Sequence, residues 1–235
     1  TPGDLAAATS AAGVDATVLV QSVDTSAEND RLAAYAAEVP LIAGVVGWLP
    51  LADPAAASAE LDRIAGLPRL RGVRCLVARD PMEWLATPAV LATLGELARR
   101  GLVWDVVPVT EQQVAAVLDA ARAVPELRIV VDHLCRPPLD AGADAMVAWR
   151  KRIRDLSGCP GVGMKVSVGI DVLTSWSQWR PEALRGVVAD ALDAFGPRRL
   201  MLASNWPVIL LRQTYAGAWE DLVAAVRAAG ATDAD

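Results

Sequence analysis

The sequence has 235 residues, a formal net charge of −6 at pH 7, 21% charged residues and 54% hydrophobic residues. This apolar fraction is large enough to build a buried core and excludes an intrinsically disordered chain. The acidic balance provides no clustered basic surface, so we expect no nucleic-acid partner. No apolar run reaches the ~18 residues of a membrane-spanning segment, so we expect no membrane association.

Three cysteines occur at unrelated spacings, at Cys75, Cys135 and Cys159. An odd number without a CxxC pair gives no disulfide framework. Free thiols are typical of a reducing compartment, so we expect the protein to be cytoplasmic.

Short β-branched runs alternate with amphipathic, Ala/Leu-rich stretches along the whole chain. In chain order the pattern predicts helix Asp4–Ala12, strand Thr17–Gln21, helix Ala27–Ala37, strand Leu41–Gly47, helix Pro54–Ala65, strand Gly72–Val77, helix Pro88–Arg100, strand Leu102–Val107, helix Thr110–Ala123, strand Arg128–Asp132, helix Ala145–Leu156, strand Val162–Val168, helix Pro181–Ala194, strand Leu200–Ser204 and helix Tyr215–Ala229.

Residues at the helix starts support these boundaries. Thr110 followed by Gln113 forms a capping-box pattern. Pro54, Pro88 and Pro181 each fall where the first helical turn tolerates a missing N–H. The strands are almost continuously apolar, which indicates burial on both faces and a parallel sheet.

No linker or composition break divides the chain, so we predict one α/β domain over residues 1–235. Eight β/α units would close a (β/α)8 barrel, whereas the pattern gives seven. A doubly wound open sheet is the competing architecture, but its GxGxxG fingerprint does not follow the first strand.

Polar side chains that act on ligands lie at the carboxyl ends of the strands in parallel α/β proteins. The candidates at or near these ends are Gln21, Trp48, Arg74, Cys75, Asp105, His133, Lys165, Asn205 and Trp206. We therefore expect the functional site to be built from these residues.

His133 is the only histidine in the chain and follows a predicted strand. Its imidazole could make a structural hydrogen bond, act as a base near neutral pH, or bind a metal. Lys165 lies within an apolar strand, where its ammonium could orient an anionic group or neutralise an oxyanion. The alternative is an ion pair with Asp105 or Asp132.

Three other candidates each have a functional and a structural interpretation. Asp105 is costly to bury alone and predicts an ion pair with Arg74 or Lys165. Cys75 could be a nucleophile or ligand, although a small buried apolar side chain is the more common role. Trp48 and Trp206 could line a pocket for a flat or sugar-like ligand.

Several segments together resemble the amidohydrolase-related family, and within it the sugar-lactone hydrolases of the fuconolactonase and rhamnonolactonase type. The segments are VDATVLVQS, IAGVVGWLPLADP, LRGVRCLV, RIVVDHLCRPP, VGMKVSV and FGPRRLMLASNWPV. The resemblance extends over nearly the whole chain. It implies a (β/α)8 barrel, often with one divalent metal, that hydrolyses a lactone, ester or amide, while related branches decarboxylate.

The chain also departs from the family pattern at residues that would bind a metal. Family members usually open with a strand ending in His-x-His, which this sequence does not show, so we expect the first strand of the barrel to be missing or not shown. Cys75 stands where relatives often have His, and Asn205 stands where they have Asp. We assign no metal ligand and expect no cofactor. Zinc would require ligands from upstream residues, because a catalytic zinc needs about three protein ligands.

The resemblance predicts a divergent hydrolase for a small lactone or ester-like metabolite, with a degenerate or absent metal site. His133 would activate water, Lys165 and Arg74 would bind a carboxylate or the developing oxyanion, and Asn205 would orient the substrate. One alternative is a non-hydrolytic barrel that catalyses cyclisation, dehydration or decarboxylation. Another is a non-catalytic binding protein. Strand edges left open by a missing strand would favour a homodimer.

Overall fold

The computed structural model describes residues 2–232, which form an α/β fold, as predicted. The described strands are β1 (Thr17–Val20), β2 (Ile42–Trp48), β3 (Leu70–Arg74), β4 (Val103–Val106), β5 (Ile129–Val131), β6 (Val162–Val166) and β7 (Leu200–Leu202). The described α-helices are α1 (Pro2–Ala11), α2 (Ser26–Glu38), α3 (Pro54–Ile64), α4 (Pro88–Arg99), α5 (Glu111–Ala123), α6 (Ala143–Ser157), α7 (Ile170–Ser175), α8 (Pro181–Phe195) and α9 (Tyr215–Ala228).

The seven strands follow one another along the sheet in the order of the sequence. The pairs β1–β2, β2–β3, β3–β4 and β6–β7 are parallel. Parallel strands need crossover connections, and an α-helix supplies them here. Because residues 2–232 contribute seven strands, they do not establish the closed eight-stranded barrel that the resemblance implied.

The chain groups into two compact units, of which the first comprises Pro2 and residues 14–130 among those described. Its core includes Leu32, Ala36, Ile42 and Val45, which pack α2 against β2. The second unit comprises residues 3–13 and 131–232. Trp149 of α6 and Trp176 are among its largest buried side chains. The single domain predicted for residues 1–235 stays a prediction.

The predicted helix starts are confirmed at α5 and at the three prolines. The Thr110 hydroxyl accepts a hydrogen bond from the Gln113 N–H at 3.1 Å, and the Gln113 side chain accepts one from the Thr110 N–H at 3.2 Å. Pro54, Pro88 and Pro181 each occupy a first-turn position. Among the helices of residues 2–232, none has the length and apolar character needed to cross a bilayer.

Candidate active site

Two polar pairs form in the second unit, where β5 and β6 end. Lys165 of β6 places its Nζ 2.7 Å from Oδ1 of Asp132, which follows β5. The next residue, His133, places Nδ1 2.8 Å from Oγ of Ser167, which follows β6. Asp132 and Ser167 are buried, while His133 and Lys165 are half-buried. The ion-pair interpretation of Lys165 is therefore correct, with Asp132 as its partner.

A left-handed turn carries His133 into this position. His133, Leu134, Cys135 and Arg136 have φ values of +56°, +52°, +51° and +57°. Each non-glycine residue in this region costs about 1–2 kcal/mol. The turn persists because Leu134 and Cys135 are fully buried and Trp149 Nε1 donates a 2.8 Å hydrogen bond to the Leu134 carbonyl. Backbone strain that is retained in this way is typical of functional sites.

The segment after β6 passes close to the His133 side chain. A Cβ on Gly169 would lie 3.3 Å from His133 Cδ2 and 3.1 Å from Asp171 Oδ1, so a side chain here would crowd both groups. Asp171, at the start of α7, forms an ion pair with Arg136 at the end of the left-handed turn. The φ of Gly169 is −76°, which any residue can adopt. Glycine is therefore needed here because it has no side chain, and not because of its backbone freedom.

Asn205 contacts the segment after β6 from the side of β7, the neighbour of β6 opposite β5. It follows β7, has a left-handed φ of +53°, and donates through Nδ2 to the Val168 carbonyl at 2.7 Å. Asparagine adopts this conformation more readily than most residues. Trp206 is the next residue and is half-buried. The structure therefore gathers the three predicted catalytic residues, His133, Lys165 and Asn205, around β6 and residues 167–169.

In the first unit, three predicted substrate-binding residues lie at the ends of β1, β2 and β3. Gln21 Nε2 donates to Asp24 Oδ1 and to the Arg74 carbonyl, both at 3.2 Å, and the Arg74 guanidinium donates to the Gln21 carbonyl. Trp48 pairs with Arg74 in the β2–β3 register. Asp105 is buried on β4. Their assignment to substrate binding stays a prediction, as does an ion pair of Asp105 with Arg74.

Cys75 lies just beyond the end of β3, not inside the strand as predicted. Burial, with a further contribution from the negative charge of Asp24, raises the pKa of its thiol to about 12. A thiol with this pKa is protonated at neutral pH, whereas a nucleophile or metal ligand must be a thiolate. The environment of Cys75 therefore favours the packing role over either reactive one.

The sequence patterns did not select Ser167, Gly169, Asp171 or Trp149 as site residues. The strand-end rule does place Ser167, two positions after Lys165, among the polar residues of this strand end, but the sequence assigns it no role. The other three border the left-handed turn: Trp149 donates to the Leu134 carbonyl, Asp171 pairs with Arg136, and Gly169 leaves room beside His133. Their importance depends on the left-handed turn at residues 133–136, for which Leu, Cys and Arg carry no propensity.

Comparison with known proteins agrees with the motifs around this site. A sequence model of the amidohydrolase family matches residues 1–235. The chain belongs to the amidohydrolase family. An L-fucono-1,5-lactonase of Burkholderia ambifaria is 33% identical to this amidohydrolase over 227 residues, covering 93% of the chain and 74% of the lactonase. An L-fucono-1,5-lactonase of Burkholderia multivorans is 31% identical over 222 residues, covering 87% of the chain and 71% of the lactonase.

Solved structures give the same relationship. An amidohydrolase of Burkholderia multivorans, determined with bound zinc, superposes with a TM-score of 0.85 at 30% identity, covering 99% of this chain and 82% of that one. Residues 2–232 of the present amidohydrolase contain no group of three or more His, Cys, Asp or Glu side chains arranged to hold a metal. A catalytic zinc requires about three such ligands, so the described residues alone do not fit one.

Proposed function

We propose that this amidohydrolase hydrolyses a small, uncharged lactone of the aldonolactone type, with a metal site that is degenerate or absent. Similarity to two L-fucono-1,5-lactonases supports the substrate class. Asn205, in place of the aspartate usual at this position, supports the altered metal site, because a neutral amide is a weaker zinc ligand than a carboxylate. Three cysteines without a disulfide between them favour a reducing, cytoplasmic setting.

The observation that carries the proposal is the 2.8 Å contact between His133 Nδ1 and Ser167 Oγ. If the Nδ1–H donates to the serine oxygen, Nε2 is the basic nitrogen of the ring. A neutral imidazole in this tautomer can take a proton from water as general base near neutral pH. Ser167 is fully buried. Burial is consistent with a residue that orients the histidine and not with one that attacks a substrate.

The reaction then balances with one water molecule. The water oxygen attacks the lactone carbonyl carbon while His133 Nε2 takes its proton. The resulting tetrahedral oxyanion needs nearby N–H donors, and the Lys165 ammonium and the Asn205 amide are the groups gathered around β6 that can supply them. The C–O bond of the ring breaks, and His133 returns the proton to the leaving oxygen to give the open hydroxy acid.

The charges around His133 favour an uncharged substrate. Lys165 pairs with Asp132, and Arg136 pairs with Asp171, so each cation of the cluster is balanced by a carboxylate. A substrate with one or two carboxylates would need a cation that is not already compensated in this way. A polyhydroxylated lactone requires hydrogen-bond partners but no net charge.

The test is turnover of L-fucono-1,5-lactone and related aldonolactones by protein whose metal content has been measured. Acid release is followed with a pH indicator, and mass spectrometry checks that the product has gained one water. His133→Gln should lower kcat by at least about 100-fold. Binding without turnover would support a non-catalytic protein instead, and a product without added water would support a non-hydrolytic enzyme. Either result would overturn the proposal.

A further inference from the structure

We propose that Asp171 is a positioning residue for His133, acting through Arg136 to close the left-handed turn of residues 133–136. The catalytic consequence rests on the proposed function, in which His133 is the base. The structural consequence, a change in the orientation of the imidazole, is independent of the proposed function.

The turn depends on contacts made from outside it. Inside it, the Cys135 N–H donates to the Asp132 carbonyl at 3.1 Å and the Arg136 N–H donates to the His133 carbonyl at 2.9 Å. Hydrogen bonds of this length also form in right-handed turns, so they do not select the left-handed form of four non-glycine residues. Selection must come from the residues that surround the turn.

Three external contacts are spread along the turn. The Lys165 ion pair holds Asp132 just before it. In its middle, Trp149 Nε1 binds the Leu134 carbonyl at 2.8 Å. At its end, the Arg136 guanidinium pairs with Asp171. The Arg136 side chain is 17% exposed and the Asp171 side chain 42%, so water screens the carboxylate end of this ion pair more than the guanidinium end.

Gly169 shows that Asp171 and the His133 ring lie close together. The position that a Gly169 Cβ would occupy lies 3.1 Å from the Asp171 carboxylate and 3.3 Å from the imidazole edge, so both groups lie beside Gly169. Without the ion pair, the end of the turn can relax and the imidazole is free to move away from Ser167. A shift of this kind changes which ring nitrogen carries the proton.

His133 is the only histidine in the sequence, so an untagged protein gives one set of imidazole signals and the ring can be followed by NMR without any substrate. Asp171→Asn should shift or broaden these signals at a fixed pH. It should also lower kcat by about 10- to 100-fold with KM changed less than about threefold, because a misplaced base slows chemistry more than binding. Asp171→Glu keeps the charge and should recover part of both losses.

Asp190→Asn is the matched control. Asp190 pairs with Arg150 at 2.8 Å between α8 and α6, so the substitution removes an Arg–Asp pair of the same unit that does not include a turn residue. It should leave the imidazole signals and kcat unchanged. If Asp171→Asn does not fold, Arg136→Lys, which keeps the charge but loses the planar fork, gives the same readouts.

The outcomes separate the two proposals. A wild-type imidazole spectrum in Asp171→Asn overturns the positioning role, whatever the activity. Equal spectral changes in Asp171→Asn and Asp190→Asn would also overturn it, because they would reflect general loss of stability. If the imidazole moves in Asp171→Asn but His133→Gln keeps full turnover, positioning stands and His133 is not the base.

Discussion

Replacing Lys165 by Met should destabilise the protein far more than a typical lysine substitution. The change keeps most of the side-chain stem and removes the cation that lies 2.7 Å from Asp132. The lysine side chain is 14% exposed and the aspartate 1%, so little water can replace the lost partner. Removing one member of a buried ion pair costs about 3–5 kcal/mol. For a chain of this size this corresponds to a fall in Tm of about 6–20 °C.

The only other lysine provides the control. Lys151 pairs with Asp155 at 2.6 Å on the surface of α6, and the lysine side chain is 73% exposed. Lys151→Met should therefore change the free energy of unfolding by no more than about 0.5 kcal/mol. The assay is urea unfolding of both variants at pH 7, with thermal melts as a second measure.

A double-mutant cycle identifies the cause. Lys165→Met combined with Asp132→Asn removes both charges, so it should recover part of the stability lost in the single variant, with a coupling energy above about 1 kcal/mol. If Lys165→Met costs no more than Lys151→Met, or if the double variant simply adds the two single losses, the pair is effectively solvated. The claim that burial makes it structural would then be refuted.

Two further predictions concern steric and thiol properties of the site residues. Gly169→Ala should displace the His133 ring, lower kcat by about tenfold and reduce the free energy of unfolding by about 1–3 kcal/mol. The control is Gly186→Ala, which should leave stability unchanged or raise it, because nothing lies within 4 Å of the added Cβ. A normal kcat in Gly169→Ala would contradict the close packing. Burial raises the pKa of the Cys75 thiol to about 12. Its reaction with iodoacetamide at pH 8, measured by peptide mass spectrometry, should therefore be roughly a thousandfold slower than that of an unperturbed thiol. Labelling at the rate of an unperturbed thiol would contradict its burial.

The fold class could be predicted because the strands are long apolar runs and the helices have clear start signals. Prediction of strand ends was less accurate, and β3 shows why. The apolar run continues through Val77, but β3 ends at Arg74. Beyond it the Leu76 N–H donates to the Asp24 carboxylate, not to a neighbouring strand. A side chain 52 residues away therefore ends the strand, and no local pattern reports this contact.

Helix α7 was not predicted for a different reason. It has six residues, too few to show the amphipathic period on which the sequence prediction depends. Yet it carries Asp171, which pairs with the end of the left-handed turn. A short helix of this kind is stabilised by tertiary contacts more than by its own propensity.

The catalytic candidates and the groups that orient them differ in how visible they are in a sequence. His133, Lys165 and Asn205 could be located because the active-site residues of parallel α/β proteins lie at the carboxyl ends of the strands. The orientation of His133 depends on a turn of four non-glycine residues in left-handed conformation, which tertiary contacts impose against local preference. Because such strain persists only where the surroundings enforce it, substitutions at the enforcing residues should change catalysis before they unfold the protein. Asp171 tests this directly, since its carboxylate contacts the turn through Arg136 and is not required to touch the substrate.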